Sequence, residues 1–229
     1  MTQNSLPLTF VKGDDRTQDS VAVNRLVIAG WTGRDPDAVE RHIRELEDLG
    51  VPRPPTTPVF YRVSASRLTC ARTIEVVGES SGGEVEFVLL RTGARLWVGV
   101  GSDHTDRAAE TYNVTVSKQM CEKPIAPVFW DFEEVAPHWD RLVLRSWVEE
   151  NGARTPYQDG AVSSMLAPAD LLARWSEAGT LDEGTLMFCG TLPAIGGVRP
   201  TGSFEFALED PVLGRRIEHR YETLKLAMQ

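Results

Sequence analysis

The chain has 229 residues and a formal net charge of −9, from 24 Lys and Arg against 33 Asp and Glu. We expect neither a nucleic acid nor an anionic membrane surface as partner, because both require a basic protein face. Charged residues make up 25% and hydrophobic residues 41%, which is typical of a folded globular protein rather than a disordered chain.

Taken in chain order, the predicted elements begin with strands at Leu8 to Val11 and Val21 to Ala29, separated by a polar turn. Asp35-Pro36 then predicts the start of a helix, because Asp is a good N-cap and Pro suits the first helical position. This helix is expected to end at Gly50. Its buried face carries three apolar residues at helical spacing, namely Val39, Ile43 and Leu46.

Prolines between Pro52 and Pro58 predict an extended connector, and strands dominate the rest of the chain. Asn151-Gly152 is a strong signal for a two-residue hairpin turn, and Pro168 to Ser176 predicts a second short helix. Together the pattern predicts one β-rich α+β domain, with room for a small N-terminal subdomain. Strands are predicted at Val59 to Val63, Thr73 to Val77, Glu84 to Leu90, Arg95 to Val100, Leu142 to Val148, Arg154 to Gln158, Thr185 to Cys189, Phe204 to Leu208 and Arg216 to Thr223.

The cysteines and the N-terminus indicate a reducing compartment. Cys70, Cys121 and Cys189 are odd in number and widely spaced, so we expect neither a disulfide framework nor a C-x-x-C metal site. Met1 to Asp15 lacks the basic and apolar regions of a secretion signal, and no apolar stretch approaches the length of about 18 residues that a membrane helix needs. These features predict a cytoplasmic protein.

Three acidic residues are candidates for a metal site. Glu84 and Glu86 share one face of a predicted strand, where adjacent carboxylates repel unless one is protonated or a cation lies between them. The next strand ends in glycines, which permit close approach of a ligand, followed by Asp103. Three carboxylates at neighbouring strand ends suit Mg²⁺ or Mn²⁺, whereas a solvated edge strand is the alternative for the Glu pair alone. His104 is expected to face away from this site.

Two further groups of residues could take part in chemistry. His42 and Glu45 lie three apart on the first helix, where a carboxylate could orient a histidine general base; a mixed-charge surface helix is the alternative. Arg107 and Lys118 follow Asp103 closely and could bind an acidic substrate, with ordinary surface charge as the alternative.

A glycine-bounded turn, Gly190 to Gly197, follows a buried strand and could present backbone N–H groups to an oxyanion. It lacks the Gly-Lys-Ser/Thr ending of a P-loop, so nucleotide binding is not expected. A plain tight loop is the alternative.

In this order, the segments resemble the fumarylacetoacetate hydrolase family over roughly residues 30 to 225. This collinear set of segments is hard to obtain by chance. The matching segments are Pro58 to Ser64, Gly83 to Leu90, Val98 to Arg107, Ser117-Lys118, Asn151 to Met165, Leu181 to Gly197 and Phe204 to Thr223.

The resemblance implies an α+β, β-rich fold of the mixed β-roll or β-sandwich type with short helices, holding one divalent ion, Mg²⁺ or Mn²⁺. Residues 1–50 would form the N-terminal strands and a lid helix, and residues 51–229 the catalytic β-roll, in one compact unit. The implied metal ligands are Glu84, Glu86 and Asp103. The implied catalytic residues are His42, Glu45 and Lys118, and the implied substrate-binding residues are Arg107, Thr191, Tyr61, Arg62, Glu110 and Ser164.

The sequence departs from the family pattern at several positions. Arg62-Val63 replaces the usual Lys-Pro, Glu110 stands where many members have Gln, Ser102 replaces the common Asn, and Leu192 separates Gly-Thr from the following proline. With these departures the sequence resembles a divergent bacterial branch of the family, so its substrate is not copied from the type enzyme.

The activity implied is metal-dependent hydrolysis of a C–C bond in a small 2-oxo or 1,3-dicarbonyl acid of the acylpyruvate kind. Two alternatives remain open at this point. One is a decarboxylase, isomerase or tautomerase using the same metal and enolate chemistry, and the other is a non-catalytic small-acid binding protein. The expected partners are a small anionic keto acid and, by resemblance, a second copy of the chain in a homodimer.

Overall fold

The computed structural model describes residues 4–48 and 53–227; within these ranges the side chains of Asn4, His42, Glu45 and Leu46 are not part of the description. The strands are β1 (Asn4–Lys12), β2 (Asp15–Val23), β3 (Arg25–Gly30), β4 (Val59–Val63), β5 (Leu68–Thr69), β6 (Thr73–Val77), β7 (Ser81–Gly82), β8 (Val85–Thr92), β9 (Arg95–Ser102), β10 (Thr105–Asp106), β11 (Lys123–Pro124), β12 (Val128–Asp131), β13 (Val143–Glu150), β14 (Ala153–Ala161), β15 (Thr185–Thr191), β16 (Ser203–Asp210) and β17 (Arg215–Leu226). The helices are α1 (Pro36–Asp48), α2 (Arg107–Glu110), α3 (Val114–Met120), α4 (Phe132–Val135) and α5 (Pro168–Trp175), with 3₁₀ turns at Ala65–Arg67, Ala136–Arg141 and Val162–Ser164.

Two sheets contain most of these strands. The larger has eight strands in the order β2-β1-β12-β9-β8-β15-β3-β4, and the smaller has five in the order β14-β13-β16-β17-β6. Two short pairs, β10 with β7 and β11 with β5, lie beside them. The first three strands of the chain are therefore part of the same sheet as the central β8–β9 hairpin. The prediction of a β-rich α+β fold is confirmed.

Strand β8 lies between two apolar cores. Val85, Phe87 and Leu89 belong to the core that also contains Phe204 and Phe206 of the smaller sheet. The alternate residues Val88 and Leu90 belong to a second core, together with Leu26 and Ile28 of β3. Because both faces of β8 are covered from Val85 to Leu90, a polar side chain in this part of the strand has no bulk water and needs a partner within the protein.

Local chemistry determines several boundaries as the sequence predicts. The Asp35 carboxylate accepts hydrogen bonds from the backbone N–H groups of Asp37 and Ala38 at 2.9 and 3.2 Å, which begins α1 with an N-cap. Asn151 and Gly152 have φ angles of 53° and 75° and close the β13–β14 hairpin. The expected helix end at Gly50 and the start of the proline connector at Pro52 lie outside the described residues.

Other elements were missed or wrongly bounded. The predicted polar turn after β1 is mostly strand, because β2 is an edge strand whose Asp15–Ser20 portion is exposed and so lacks the apolar alternation of a half-buried strand. The helices α2, α3 and α4, of 4, 7 and 4 residues, were not predicted, since segments this short carry little helical periodicity. In the described part of the chain, no helix has both the length and the apolar character to cross a bilayer.

Candidate functional site

The β8–β9 hairpin brings the three predicted carboxylates together. Val85 pairs with Ser102 across the hairpin, and one residue further the Asp103 backbone N–H donates to the Glu84 carbonyl at 2.9 Å. This register places Asp103 beside Glu84, while strand alternation puts Glu86 on the same side as Glu84. One carboxylate oxygen from each residue lies within 4.8 Å of the other two. A group of three hard oxygen donors at this spacing could hold a divalent cation.

Glu86 is buried and is held by a backbone group of β15. Its Oε2 atom accepts the Gly190 backbone N–H at 2.7 Å. Burial raises the pKa of Glu86 well above its usual range, and the charge of Asp103 raises it further against the opposing effect of Lys118. A bound cation would favour the ionised form. The donor set thus fits a divalent metal ion.

The first backbone N–H of the glycine-bounded turn is hydrogen-bonded to a carboxylate of the protein. The Gly190 N–H, one of the groups that could have faced an oxyanion, donates to Glu86. Gly190 has a φ of +104°, and a Cβ there would lie 1.7 Å from the Thr32 Oγ1 atom, so only glycine can bring this N–H to the carboxylate. The turn therefore positions a candidate metal ligand.

Asp103 is fully buried between two lysines. The Lys118 Nζ atom donates to Oδ2, and the Lys123 Nζ atom lies 2.9 Å from Oδ1. Burial alone would raise the pKa of Asp103, but the two ammonium charges outweigh it and hold the pKa below its usual value. Asp103 is therefore ionised at neutral pH. The fully buried Lys123 also donates to the His104 carbonyl.

Short helices after β10 place the other cations. The Asp106 side chain caps α2 by accepting the Ala109 N–H at 2.8 Å. This orients Arg107 between two acids: its Nη1 atom donates to Glu110 at 2.9 Å, and its Nη2 atom lies 3.3 Å from Glu84. Burial would lower the pKa of Arg107, but Glu84 and Glu110 raise it, so the guanidinium stays charged.

The helix α3 carries Lys118 into the site. Its N-cap is Asn113, whose side chain accepts the Val116 N–H at 3.1 Å. Burial would lower the pKa of Lys118, but the carboxylates of Asp103, Glu84 and Glu110 raise it above the usual value. The Lys118 Nζ atom lies 5.8 Å from the centroid of the Tyr61 ring on β4. Tyr61 thus borders the same charged group.

Thr191 is attached to the site through a buried amide that the sequence analysis did not single out. Gln158 Nε2 donates to the Thr191 hydroxyl at 2.7 Å and to the Leu192 carbonyl at 2.6 Å. Gln158 Oε1 accepts the Val85 N–H and the Ser146 hydroxyl, both at 2.9 Å. Gln158 therefore holds the start of β8 against the turn after β15.

A second buried network lies behind Asp103. His104 Nδ1 is 2.8 Å from the Tyr221 hydroxyl, which is 2.9 Å from the Ser102 hydroxyl. Burial, with the charges of Lys123 and Arg107, lowers the pKa of His104 to about 3, so the ring is neutral at pH 7. His104 contacts Tyr221, in keeping with the expectation that it faces away from the carboxylates.

The glycines of β9 were interpreted wrongly. They were expected to admit a ligand, but protein rings occupy the space beside them. A Cβ on Gly99 would lie 2.7 Å from the Phe129 ring, and one on Gly101 would lie 2.7 Å from the Phe188 ring. These glycines allow aromatic packing in the second core rather than ligand approach.

The structure does not bring Arg62 or Ser164 into contact with the carboxylates, and it does not describe the side chains of His42 and Glu45. Arg62 is exposed and follows Tyr61 on β4, so alternation turns it to the opposite face of the strand. Ser164 is exposed on the 3₁₀ turn Val162–Ser164. The backbone of His42 and Glu45 lies in α1, but their side chains lie outside the described residues. The structure thus brings together the three carboxylates with Lys118, Arg107, Glu110 and Tyr61.

Solved structures share this fold at low sequence identity. Yeast ynq8, a fumarylacetoacetate hydrolase family protein, is 15% identical with a TM-score of 0.63, covering 89% of this chain and 93% of that chain. A 2-keto-3-deoxy-D-arabinonate dehydratase complexed with magnesium and 2,5-dioxopentanoate is 14% identical with a TM-score of 0.63, covering 94% of this chain and 86% of that chain. The 4-oxalocrotonate decarboxylase from Pseudomonas putida G7, complexed with calcium and acetate, is 16% identical with a TM-score of 0.53, covering 86% and 76%.

These similarities confirm the predicted fumarylacetoacetate hydrolase-like fold. No curated protein matches the sequence. A family model described as "Protein of unknown function (DUF2848)" matches residues 29–221, which include every strand from β4 to β16 and the whole carboxylate cluster. The chain therefore belongs to the DUF2848 family, and it has the fold of the fumarylacetoacetate hydrolases.

Proposed function

We propose that this protein is a metal-dependent enzyme that hydrolyses a C–C bond in a small 2-oxo or 1,3-dicarbonyl acid. One observation carries the proposal: Glu84, Glu86 and Asp103 converge within 4.8 Å, beside the ammonium group of Lys118. Lys118 and Lys123 pair with Asp103, and Arg107 lies beside Glu84, but Glu86 has no cationic partner of its own among these contacts. A divalent ion between the three carboxylates would favour the ionised form of Glu86.

The carboxylates of Glu84, Glu86 and Asp103 would hold Mg²⁺ or Mn²⁺, since oxygen ligands suit both ions. When bound, such an ion would act as a Lewis acid that stabilises negative charge on a 2-oxo acid. The Gly190 N–H and the Lys123 ammonium each hold one oxygen of a proposed ligand, which orients Glu86 and Asp103 before an ion arrives.

Lys118 is the residue we assign to the developing oxyanion. Its raised pKa keeps the ammonium group protonated at neutral pH. An ammonium carries three donors, so Lys118 can keep its bond to Asp103 and still donate to a substrate oxygen. Tyr61 covers one side of this group and limits its contact with water.

His42 and Glu45 are proposed to supply the base. By resemblance to lid-helix pairs of the fumarylacetoacetate hydrolase family, His42 would take a proton from the attacking water and Glu45 would orient its ring. The described residues support this only through the backbone, which places both residues on α1, three positions apart on one face.

The substitution Glu86→Gln tests the metal role, because it retains the shape of the side chain and removes its charge. We expect the affinity for Mn²⁺, measured by calorimetry, to fall at least tenfold, and Mg²⁺-dependent turnover of acylpyruvates to fall by at least 100-fold. Glu218→Gln, which removes an exposed carboxylate from β17, is the matched control and should change neither quantity. Unchanged metal binding in Glu86→Gln would refute the site.

Decarboxylation or isomerisation at the same site is the second candidate, and it is favoured because structures with this fold include a dehydratase and a decarboxylase. His42→Ala distinguishes the two reactions. Without His42 as the base that activates water, hydrolysis should fall to background, whereas decarboxylation or ketonisation of a 2-oxo acid should persist.

A non-catalytic binding protein is the remaining alternative. Such a protein would bind keto acids in calorimetry and yield no product from any of them. A cytoplasmic homodimer also stays a prediction, and sedimentation tests the dimer.

A further inference from the structure

Arg107, the residue expected to receive an acid group of the substrate, is already occupied by two acids of the protein. Its Nη1 atom donates to Glu110 at 2.9 Å, and its Nη2 atom is 3.3 Å from Glu84. The Nε and Nη2 atoms are buried and make no hydrogen bond among the described residues. A second carboxylate of a substrate that approaches the Nη1 atom would therefore compete with Glu110 for it.

The two lysines of the site are occupied in the same way. Lys118 is paired with Asp103 Oδ2, and Lys123 is paired with Asp103 Oδ1 and the His104 carbonyl. Burial would lower the pKa of Lys118, but the carboxylates of Asp103, Glu84 and Glu110 raise it. Each cation of the site therefore already faces acids of the protein.

A charge count of the site follows from these contacts. The carboxylates are Glu84, Glu86, Asp103 and Glu110, and the cations are Arg107, Lys118 and Lys123. With a divalent ion bound and Glu86 ionised, four negative groups face three positive groups and the two charges of the ion, which leaves one net positive charge. A single anionic group of a ligand neutralises that charge.

We propose that Glu110 is a specificity-determining residue that restricts the site to monoanionic 2-oxo acids and disfavours dicarboxylates. The inference rests on the proposed function, because it assumes a metal-dependent site for 2-oxo acids. A dianion in this site would leave an excess negative charge close to Glu84 and Glu110, which are 18% and 31% exposed and so only partly screened by water.

The test compares two ligands that differ only in the second charge. These are 2-oxopentanoate, a monoanion, and 2-oxoglutarate, in which a carboxylate replaces the terminal methyl group. Their dissociation constants are measured by calorimetry with saturating Mg²⁺, for the wild type and for Glu110→Gln. We expect the wild type to prefer 2-oxopentanoate. In Glu110→Gln the ratio of the two constants should move about tenfold toward 2-oxoglutarate, and the shift should diminish at high salt.

The control variant is Glu218→Gln, which removes one negative charge from the far sheet and should leave the ratio unchanged. Preference of the wild type for 2-oxoglutarate would overturn the inference, as would an unchanged ratio in Glu110→Gln. Both of these results leave the proposed function standing. If neither ligand binds the wild type in a Mg²⁺-dependent way, the proposed function fails and the inference falls with it.

Discussion

Two regions of this protein are rich in ion pairs, and they differ in almost every other respect. The cluster around Asp103 is buried, with Asp103 and Lys123 both 0% exposed. The outer face of the five-stranded sheet carries another series of pairs in contact with water, in which Arg154, for example, is 51% exposed. The pairs of this outer face are Arg145–Asp159, Arg154–Glu205, Arg216–Glu218 and Arg220–Glu149.

The comparison shows that the density of charge does not by itself indicate a site. On the outer face, water reaches both partners of each pair, so each pair contributes little to stability and the loss of one partner is tolerated. Around Asp103, each charge has lost its water and depends on a particular partner. The raised pKa of Glu86 and the lowered pKa of Asp103 express this dependence in the same cluster.

The largest effect on stability is expected from Lys123→Met, which keeps the length of the side chain and removes its charge. The substitution leaves Asp103 Oδ1 and the His104 carbonyl without their buried donor. We expect the free energy of unfolding, measured in urea at pH 7, to fall by about 3 kcal/mol. A loss below about 1 kcal/mol would show that Lys118 alone satisfies Asp103. The buried cluster would then tolerate the loss of one partner as well as the exposed pairs do.

An intermediate effect is expected at Asp210, a buried carboxylate at the end of β16. It accepts the N–H groups of Val212 and Leu213 at 3.0 and 3.1 Å and lies 2.9 Å from His138 Nε2. Burial would raise the pKa of Asp210, but these hydrogen bonds outweigh it and lower the pKa below its usual value of 3.8. Asp210→Asn should therefore cost about 1 kcal/mol at pH 6.

The pH dependence gives this prediction a sign. Because the pKa of Asp210 is lower in the folded than in the unfolded chain, the ionised carboxylate stabilises the fold above about pH 4, and this stabilisation is lost as the pH falls through the folded pKa. Urea titrations between pH 6 and pH 2.5 should show the curves of the wild type and Asp210→Asn converging. If the difference in unfolding free energy between the wild type and Asp210→Asn does not depend on pH, the charge of the Asp210 carboxylate does not contribute to stability.

The smallest effect is expected on the outer face, from Arg154→Met. Arg154 forms two hydrogen bonds with Glu205 and stacks with its guanidinium 3.7 Å from the centroid of the Trp147 ring. Because the group is half-exposed, the loss of unfolding free energy should stay below about 1 kcal/mol and decrease in 1 M NaCl. A loss above about 2 kcal/mol would show that this exposed pair contributes as much to stability as the buried pairs around Asp103.

Periodicity was enough to predict most of the sheet. Strand β6 has its predicted bounds, and the β13–β14 hairpin turns at Asn151-Gly152 as the dipeptide indicates. Residue alternation put Glu84 and Glu86 on one side of a strand, and the structure brings the Asp103 carboxylate within 4.8 Å of both, as expected from neighbouring strand ends. The short helices α2 and α3 escaped prediction although Asp106 and Asn113 are good N-caps, because a cap without an apolar stripe is a weak signal.

The contacts that Gln158 and Gly190 make with β8 could not be predicted from the sequence, because these residues come from distant segments. Gln158 is more than 70 residues from Val85, and the Gly190 N–H reaches Glu86 only because β15 pairs with β8. Lys123 lies in a segment with no recognisable motif, and nothing in its neighbours indicates that it is buried. Such contacts depend on which strands become neighbours, and local patterns do not encode that order.

The sequence by itself determined the β-rich fold, the strand that carries the Glu pair and the order of segments that resembles a known family. Only the tertiary structure decided which groups contact the buried charges. Lys123 pairs with Asp103, and Arg107 pairs with both Glu84 and Glu110. The backbone N–H of Gly190 donates a hydrogen bond to Glu86. The physical reason is desolvation. An exposed charge is satisfied by water whatever its neighbours, whereas a buried charge takes its properties from the few groups that the fold brings to it.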